Sequence, residues 1–205
     1  MRVIGGERRG LKLNAPRGKA VRPTADKVKG AIFNTIQWEL ASAEVFVDCF
    51  GGSGAMAIEA LSRGVKTAWI FDTAPASIDL IHSNLHKARY ENRAHCLKTD
   101  IRSGIDILAA KGVAADLIFM DPPYAMAAAS ARLCGQIVAK KILKSTGIIM
   151  IEHEKSVIMP VVCSTLKHCK QKSYGITVVD YYRWEASDDN RGLSRELDRD
   201  RKSVV

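Results

Sequence analysis

The sequence predicts an α/β fold: a mostly parallel sheet with helices on both faces, closed by an antiparallel hairpin. Three observations predict it. From residue 44 onward, short apolar runs alternate with stretches of helical periodicity, as repeated βα units require. The first apolar run opens directly into a glycine-rich loop and a helix, which is how a parallel strand turns back onto its sheet. After the strand Gly147–Glu152 the chain changes character, and Cys169–Tyr174 and Ile176–Trp184 read as two strands turned at Gly175.

The elements follow in order. Val3-Ile4 and Leu11-Lys12-Leu13 flank the turn-prone Gly5-Gly6 and Arg9-Gly10, so residues 1–20 read as a small hairpin. A helix is predicted after Pro23, with Thr24 as N-cap, Asp26 in its first turn, and Val28, Ala31, Ile32 and Ile36 on one face. Val45–Cys49 is a strand and Ala55–Leu61 a helix, and Thr67–Phe71 is a strand ending at Asp72. A helix from Pro75 carries Ile78, Ile81, Leu85 and Ala88 on one face; Ala94–Lys98 is a weaker strand before Asp100, and Ser103–Ala110 a short helix. Asp116–Asp121 is the clearest buried strand, followed by helix 127–141 and the strand Gly147–Glu152. This divides the chain into a basic hairpin-and-helix extension over 1–40, a main domain over 41–185, and a charged, disordered tail over 186–205.

At 205 residues, the chain fills one domain, and no apolar run approaches the roughly 20 residues that cross a bilayer. The basic N-terminus lacks the apolar stretch of a signal peptide. Five scattered cysteines form no CxxC pair, which argues against a disulfide framework or a zinc site and for a reduced, cytoplasmic protein. His82 and His86 are four apart on one helix, but no third ligand stands with them, so no metal is expected. The net charge is +9, and residues 1–29 hold nine basic side chains against two acidic ones. A basic arm set apart from the glycine loop favours a polyanion, through counterion release.

Two motifs carry chemistry. The first is Asp48-Cys49-Phe50-Gly51-Gly52-Ser53-Gly54, between a strand and a helix, with Asp72 at the end of the next strand. Glycines let the backbone approach a ligand, and an acidic side chain at the second strand end suits a ribose. The spacing Gly52-x-Gly54-x-x-Ala57 also fits a dinucleotide fingerprint, but Asp48 would repel a pyrophosphate and suits an ammonium instead. The second is Asp121-Pro122-Pro123-Tyr124, directly after a buried strand. Two prolines remove both backbone donors and leave a rigid loop rich in acceptors, followed by an aromatic ring. That set matches methyl transfer to a nucleobase amine, whose lone pair is delocalised into the ring. Acceptors on both N–H groups orient the amine and favour the pyramidal geometry from which it attacks. A stacked tyrosine adds about 1–3 kcal/mol, and in-line positioning is worth on the order of 7–11 kcal/mol.

With these residues in view, the sequence resembles the RsmD-type bacterial small-subunit rRNA guanine-N2 methyltransferases over about residues 1–184. The likeness lies in Arg2-Val3-Ile4-Gly5-Gly6, Arg9–Leu13, Arg22–Lys29 leading to Phe33-Asn34, Asp48–Gly54, Glu59–Gly64, Asp121–Tyr124 and Tyr174-Gly175. It implies a Rossmann-like class I methyltransferase with a seven-stranded sheet, S-adenosyl-L-methionine as cofactor, and a single guanine of small-subunit rRNA as target. It further implies that Asp48, Gly51, Gly52, Ser53 and Gly54 line the methionine end of the cofactor, with Asp72 on the ribose, Asp100 near the adenine and Thr24 approaching from the N-terminal helix. Asp121, Pro122, Pro123 and Tyr124 become catalytic. Arg8, Arg9, Lys12, Arg22 and Lys27 are expected to meet RNA, in the small ribosomal subunit or an assembly intermediate, with the enzyme a monomer and no membrane involved. Three departures stand out: Gly51 where alanine is common, Asp72 where glutamate is common, and Lys27 and Lys29 where arginines are common. Lysine keeps the charge but loses the bidentate fork.

Three other readings compete. A DNA adenine-N6 methyltransferase uses the same chemistry but needs a recognition domain for which this chain has no room. A glutamine-modifying enzyme would favour asparagine at position 121. A non-catalytic RNA-binding module would not keep both motifs complete. Glu152-His153-Glu154 ends a strand on the cofactor side of the sheet, where it could line the RNA entrance, but solvated charge is the expectation; Tyr181, Tyr182 and Trp184 are expected to be packing residues.

Overall fold

A computed structural model describes residues 1–16, 26–123 and 130–185. The helix start after Pro23, the first residues of stretch 127–141 and the tail lie outside the described residues.

In chain order the elements are α1 (Asp26–Thr35), α2 (Gln37–Ser42), β1 (Val45–Asp48), α3 (Ala55–Ser62), β2 (Thr67–Asp72), α4 (Pro75–Ala88), β3 (Ala94–Lys98), α5 (Ile101–Ala110), β4 (Ala115–Met120), α6 (Ser130–Ala139), β5 (Leu143–Glu154), β6 (Val162–Cys163), β7 (Leu166–Tyr174) and β8 (Thr177–Trp184). They build one sheet of eight strands, ordered β3-β2-β1-β4-β5-β8-β7-β6. The first five run parallel, and β8 returns antiparallel to β5 and pairs with β7. The expected count of seven is corrected to eight because the two-residue β6 adds an edge beside β7, too short to leave a periodic signal.

Side chains alternate between two cores. Phe46, Ile70, Leu117, Phe119, Ile148 and Met150 face α1, α3 and α4, whereas Val47, Phe71, Ile118, Met120, Ile149 and Ile151 face α5 and α6. The sheet is covered on both sides, which is why its parallel strands read as unbroken apolar runs.

Boundaries moved where side chains terminate elements. Helix α5 starts at Ile101 rather than Ser103, because the Asp100 carboxylate accepts from the N–H groups of Arg102 and Ser103 and caps it, a contact worth about 1 kcal/mol. Strand β7 begins at Leu166 rather than Cys169.

The N-terminal hairpin forms: Val3 N–H donates to Leu11 O at 2.9 Å and Gly10 N–H to Val3 O at 2.9 Å. Val3 and Leu13 enter the core on the α1, α3 and α4 side, so this arm packs on the domain.

Candidate functional site

Strand β1 pairs with β2 on one side and β4 on the other, so the chain order reverses between β1 and β4. A crevice opens at the carboxyl ends of the strands at such a point. The two motifs meet there: Asp48 ends β1 and Asp121 follows β4.

The glycine loop is tied down by its own backbone. Cys49 N–H donates to Phe119 O at 2.9 Å, Gly51 N–H to Phe71 O at 2.8 Å, and Gly54 N–H to Gly51 O at 2.7 Å. Gly52 and Gly54 have φ of +55° and +74°, and Gly54 caps α3 in the left-handed region that a side chain disfavours. Gly51 works differently. A Cβ there would lie 2.5 Å from Ile70 Cγ2 and 2.9 Å from Ile81 Cδ1, so the residue lets β2 and α4 close beneath the loop. The Asp72 carboxylate braces the loop as well, accepting from Gly52 N–H at 2.8 Å and Ala74 N–H at 2.9 Å. The Ser53 hydroxyl turns to Met1 Sδ, and Asp100 is occupied as a helix cap bonded to the Ser103 hydroxyl.

Asp48 is the unusual group. It is 1% exposed, and among the described residues its Oδ1 has no hydrogen-bond partner. Burial pushes its carboxyl up to about 7; backbone N–H groups of Phe50 and Ala57 oppose this, while Asp121 and Asp72 add to it. A buried carboxylate with one oxygen unused is held at a cost that a cation relieves. The ammonium of a methionine moiety is such a cation, and the tightly turned glycine loop admits its backbone, so the residues fit S-adenosylmethionine. Burial likewise raises Asp121 to about 6, close enough to neutrality for proton transfer. Pro122 is buried beside it and Pro123 is exposed. Tyr124, Thr24 and Arg22 lie outside the described residues.

The arm is not remote from the glycine loop, which corrects the expectation. Asn84, fully buried on α4, donates from Nδ2 to Ser53 O at 2.9 Å and to Asn14 O at 3.1 Å, while its Oδ1 accepts from Asn14 N–H. Of the expected RNA contacts, Arg9, Lys12 and Lys27 are exposed. Arg8 is half buried with its guanidinium 5.6 Å from the centre of the Tyr90 ring, a contact internal to the protein.

Sequence reasoning missed the group that anchors the arm. Glu59 and Lys29 are both 0% exposed and 3.2 Å apart. The Glu59 carboxylate also accepts from the N–H groups of Ile4 and Gly5 and from Arg63 Nε, and Lys29 Nζ donates to Arg2 O. Lys29 is therefore no part of a solvated basic face. The available signal was Glu59 itself, a carboxylate inside a helix whose eight residues are all buried.

The expectation of solvated charge at Glu152-His153 is also corrected: both are buried. His153 Nε2 lies 2.7 Å from Asp180 Oδ2, and Asp180 Oδ1 takes His168 Nε2 at 2.7 Å and Gln171 Nε2 at 2.9 Å. Tyr181 and Tyr182 are core residues, as expected, and Trp184 Nε1 donates to Lys144 O. His86 pairs with Glu91 at 2.5 Å. Among the described residues no three His, Cys, Asp or Glu side chains are placed to hold a metal ion, and no helix is long and apolar enough to cross a membrane.

A parallel sheet with an antiparallel closing hairpin, a glycine loop under a buried carboxylate, and a second carboxylate across the switch point make up a Rossmann-like methyltransferase fold. The chain belongs to the family described as "Conserved hypothetical protein 95", the RsmD type, which it matches over residues 1–183. It is 34% identical over 183 residues to the "Putative rRNA methyltransferase YlbH" of Bacillus subtilis, covering 89% of this chain and 98% of that one. It is 36% identical over 124 residues to the "Ribosomal RNA small subunit methyltransferase D" of Escherichia coli, covering 60% of each. Its fold matches the solved structure of the "Putative methyltransferase yhhF" of Escherichia coli with a TM-score of 0.76 and 29% identity, covering 91% of this chain and 99% of that one.

Proposed function

We propose that this protein transfers a methyl group from S-adenosylmethionine to the exocyclic N2 of one guanine in small-subunit ribosomal RNA. The observation that carries the reading is the placement of Asp121-Pro122-Pro123 at the carboxyl end of β4, beside the strand that ends in the buried Asp48. S-adenosylmethionine, when bound, supplies a methyl group on a sulfonium, an electrophile for an amine nitrogen. Asp48 meets the ammonium of the methionine moiety, and Asp72 and the glycine loop hold the rest. The Asp121 carboxylate and the Pro122 carbonyl accept the two N–H hydrogens of the target amine and turn its lone pair toward the methyl group. Asp121 then takes the proton that the nitrogen sheds, as a carboxyl raised to about 6 is able to do near neutral pH. Tyr124 stacks on the base. Arg9, Lys12, Arg22 and Lys27 meet phosphates of the RNA, in the small subunit or an assembly intermediate, and the enzyme works as a monomer.

The relatives named as rRNA methyltransferases support an RNA substrate. The test is transfer from labelled S-adenosylmethionine to naked small-subunit rRNA, to small ribosomal subunits and to duplex DNA, followed by nucleoside analysis. N2-methylguanosine from one of the RNA substrates is expected. N6-methyladenine in the DNA, or no product with any substrate, overturns the proposal.

A further inference from the structure

We infer that Glu152 reads the Watson–Crick edge of the target base, accepting the N1–H of guanine while Asp121 and the Pro122 carbonyl hold the N2 amine. The inference rests on the guanine reading above and adds the group that distinguishes guanine from adenine.

Placement carries it. The parallel ladder between β4 and β5 runs Phe119↔Met150 and Met120↔Ile151. Carried one step past the end of β4, the same register would bring Asp121 opposite Glu152, at about the 4.8 Å spacing of neighbouring strands. The alternation of faces agrees. Phe119 and Met150 belong to the core under α1, α3 and α4, and Met120 and Ile151 to the opposite one. The following residues, Asp121 and Glu152, therefore return to the first face. Asp48 shares that face, since Phe46 belongs to the first core and Val47 to the second. Three consecutive strands, β1, β4 and β5, thus bring Asp48, Asp121 and Glu152 to one side of one crevice. Glu152 is 9% exposed although it stands near the end of its strand, and its carboxylate, with two oxygens and several acceptor positions, takes the N1–H beside the contact it already makes within the protein. The crevice independently shows that it is made for a ligand: the buried Asp48 Oδ1 is unpartnered among the described residues.

Guanine matches this arrangement chemically. It presents N1–H and N2–H donors side by side, and two carboxylates on neighbouring strands offer acceptors at adjacent positions. Adenine presents an unprotonated N1 at the same place, whose lone pair a carboxylate repels. Selection therefore comes from attraction to one base and repulsion of the other.

The test uses a small-subunit rRNA fragment carrying guanine or 2-aminopurine at the methylated position, once that position has been mapped. 2-Aminopurine keeps the amine but has no N1–H. A hydrogen bond to a charged group discriminates by about 10- to 100-fold, so the wild-type protein is expected to favour guanine by at least that ratio in single-turnover rate. Glu152→Gln, whose amide donates to an unprotonated N1, is expected to bring the ratio down by about 10- to 100-fold and to leave cofactor affinity within about threefold. A carboxylate with a merely structural role would slow both substrates alike, and an unchanged ratio overturns the inference. Circular dichroism establishes folding. Should Glu152→Gln fail to fold, Glu152→Asp replaces it, with a smaller fall in the ratio expected and an unchanged ratio again decisive against the inference. A product other than N2-methylguanine overturns the functional reading and this inference with it, whereas N2-methylguanine with an unchanged ratio overturns this inference alone.

Discussion

With Asp48 meeting the ammonium as proposed, cofactor affinity should depend on pH in a direction set by that residue's burial. Its carboxyl is raised from 3.8 to about 7, chiefly by burial. A raised carboxyl pKa means that the contribution to stability is fully present below the unfolded value and is lost as pH rises through 7. Holding Asp48 ionised in the empty protein therefore costs about 4 kcal/mol relative to the open chain. A cation that meets the carboxylate relieves this cost, so binding favours the ionised form and releases a proton below pH 7. At pH 8 the site is about nine-tenths ionised and at pH 6 about one-tenth, so the dissociation constant for S-adenosylmethionine should rise about tenfold between them, about 1.4 kcal/mol. Titration calorimetry in two buffers of different ionisation enthalpy reads both the affinity and the protons released. Asp48→Asn should bind about 10- to 100-fold more weakly at pH 8, the loss expected for a hydrogen bond to a charge, and should flatten the pH dependence. Because Asp121 also titrates near 6, Asp121→Asn serves as the control and should keep the slope. A wild-type dissociation constant that is level from pH 6 to 8 would refute the assignment of Asp48 to the ammonium.

Asp121→Asn should lower the single-turnover methylation rate by about 10²–10³, the loss typical of a preorganised charge-stabilising group, with cofactor affinity changed less than about threefold; a wild-type rate at saturating cofactor would leave the proline loop a structural turn. Glu59→Gln breaks a fully buried ion pair and should cost about 3–5 kcal/mol, seen as a fall of roughly 6–20 °C in melting temperature; a fall under about 3 °C would show that the carboxylate's charge is not needed there. Gly51→Ala places a methyl 2.5 Å from Ile70 Cγ2 and should cost about 1–3 kcal/mol by overpacking; unchanged melting would mean that β2 and α4 move apart freely.

The sheet and the chemical motifs were legible because their causes are local. A parallel strand buried on both faces must be apolar throughout, so Ala115–Met120 announces itself. A left-handed cap needs glycine at position 54, and an acceptor-rich rigid loop needs Pro122 and Pro123. What stayed hidden depends on partners far along the chain. Lys29 looks like any surface lysine until α3 brings Glu59 against it, 30 residues away. His153 reads as solvated until β8 and β7 deliver Asp180 and His168. Asp100, which the resemblance places near the adenine, also caps α5, a role that the sequence alone did not announce.

The arm shows most clearly how charge alone misleads. Nine basic residues in the first 29 suggest an appendage for RNA. Yet Glu59 accepts from the Ile4 and Gly5 backbone and from Lys29, and Asn84 links Asn14 to Ser53. Through Glu59 and Asn84, the arm is braced against α3 and the glycine loop. Cutting away residues 1–16 would remove Val3 and Leu13 from the core and leave the Glu59–Lys29 pair without its backbone donors and acceptor, so a loss of RNA binding in such a variant cannot be separated from damage to the cofactor site. Only point changes at exposed positions such as Arg9 and Lys12 probe the arm's charge by itself, because their side chains are exposed and those of Lys29 and Arg8 are not.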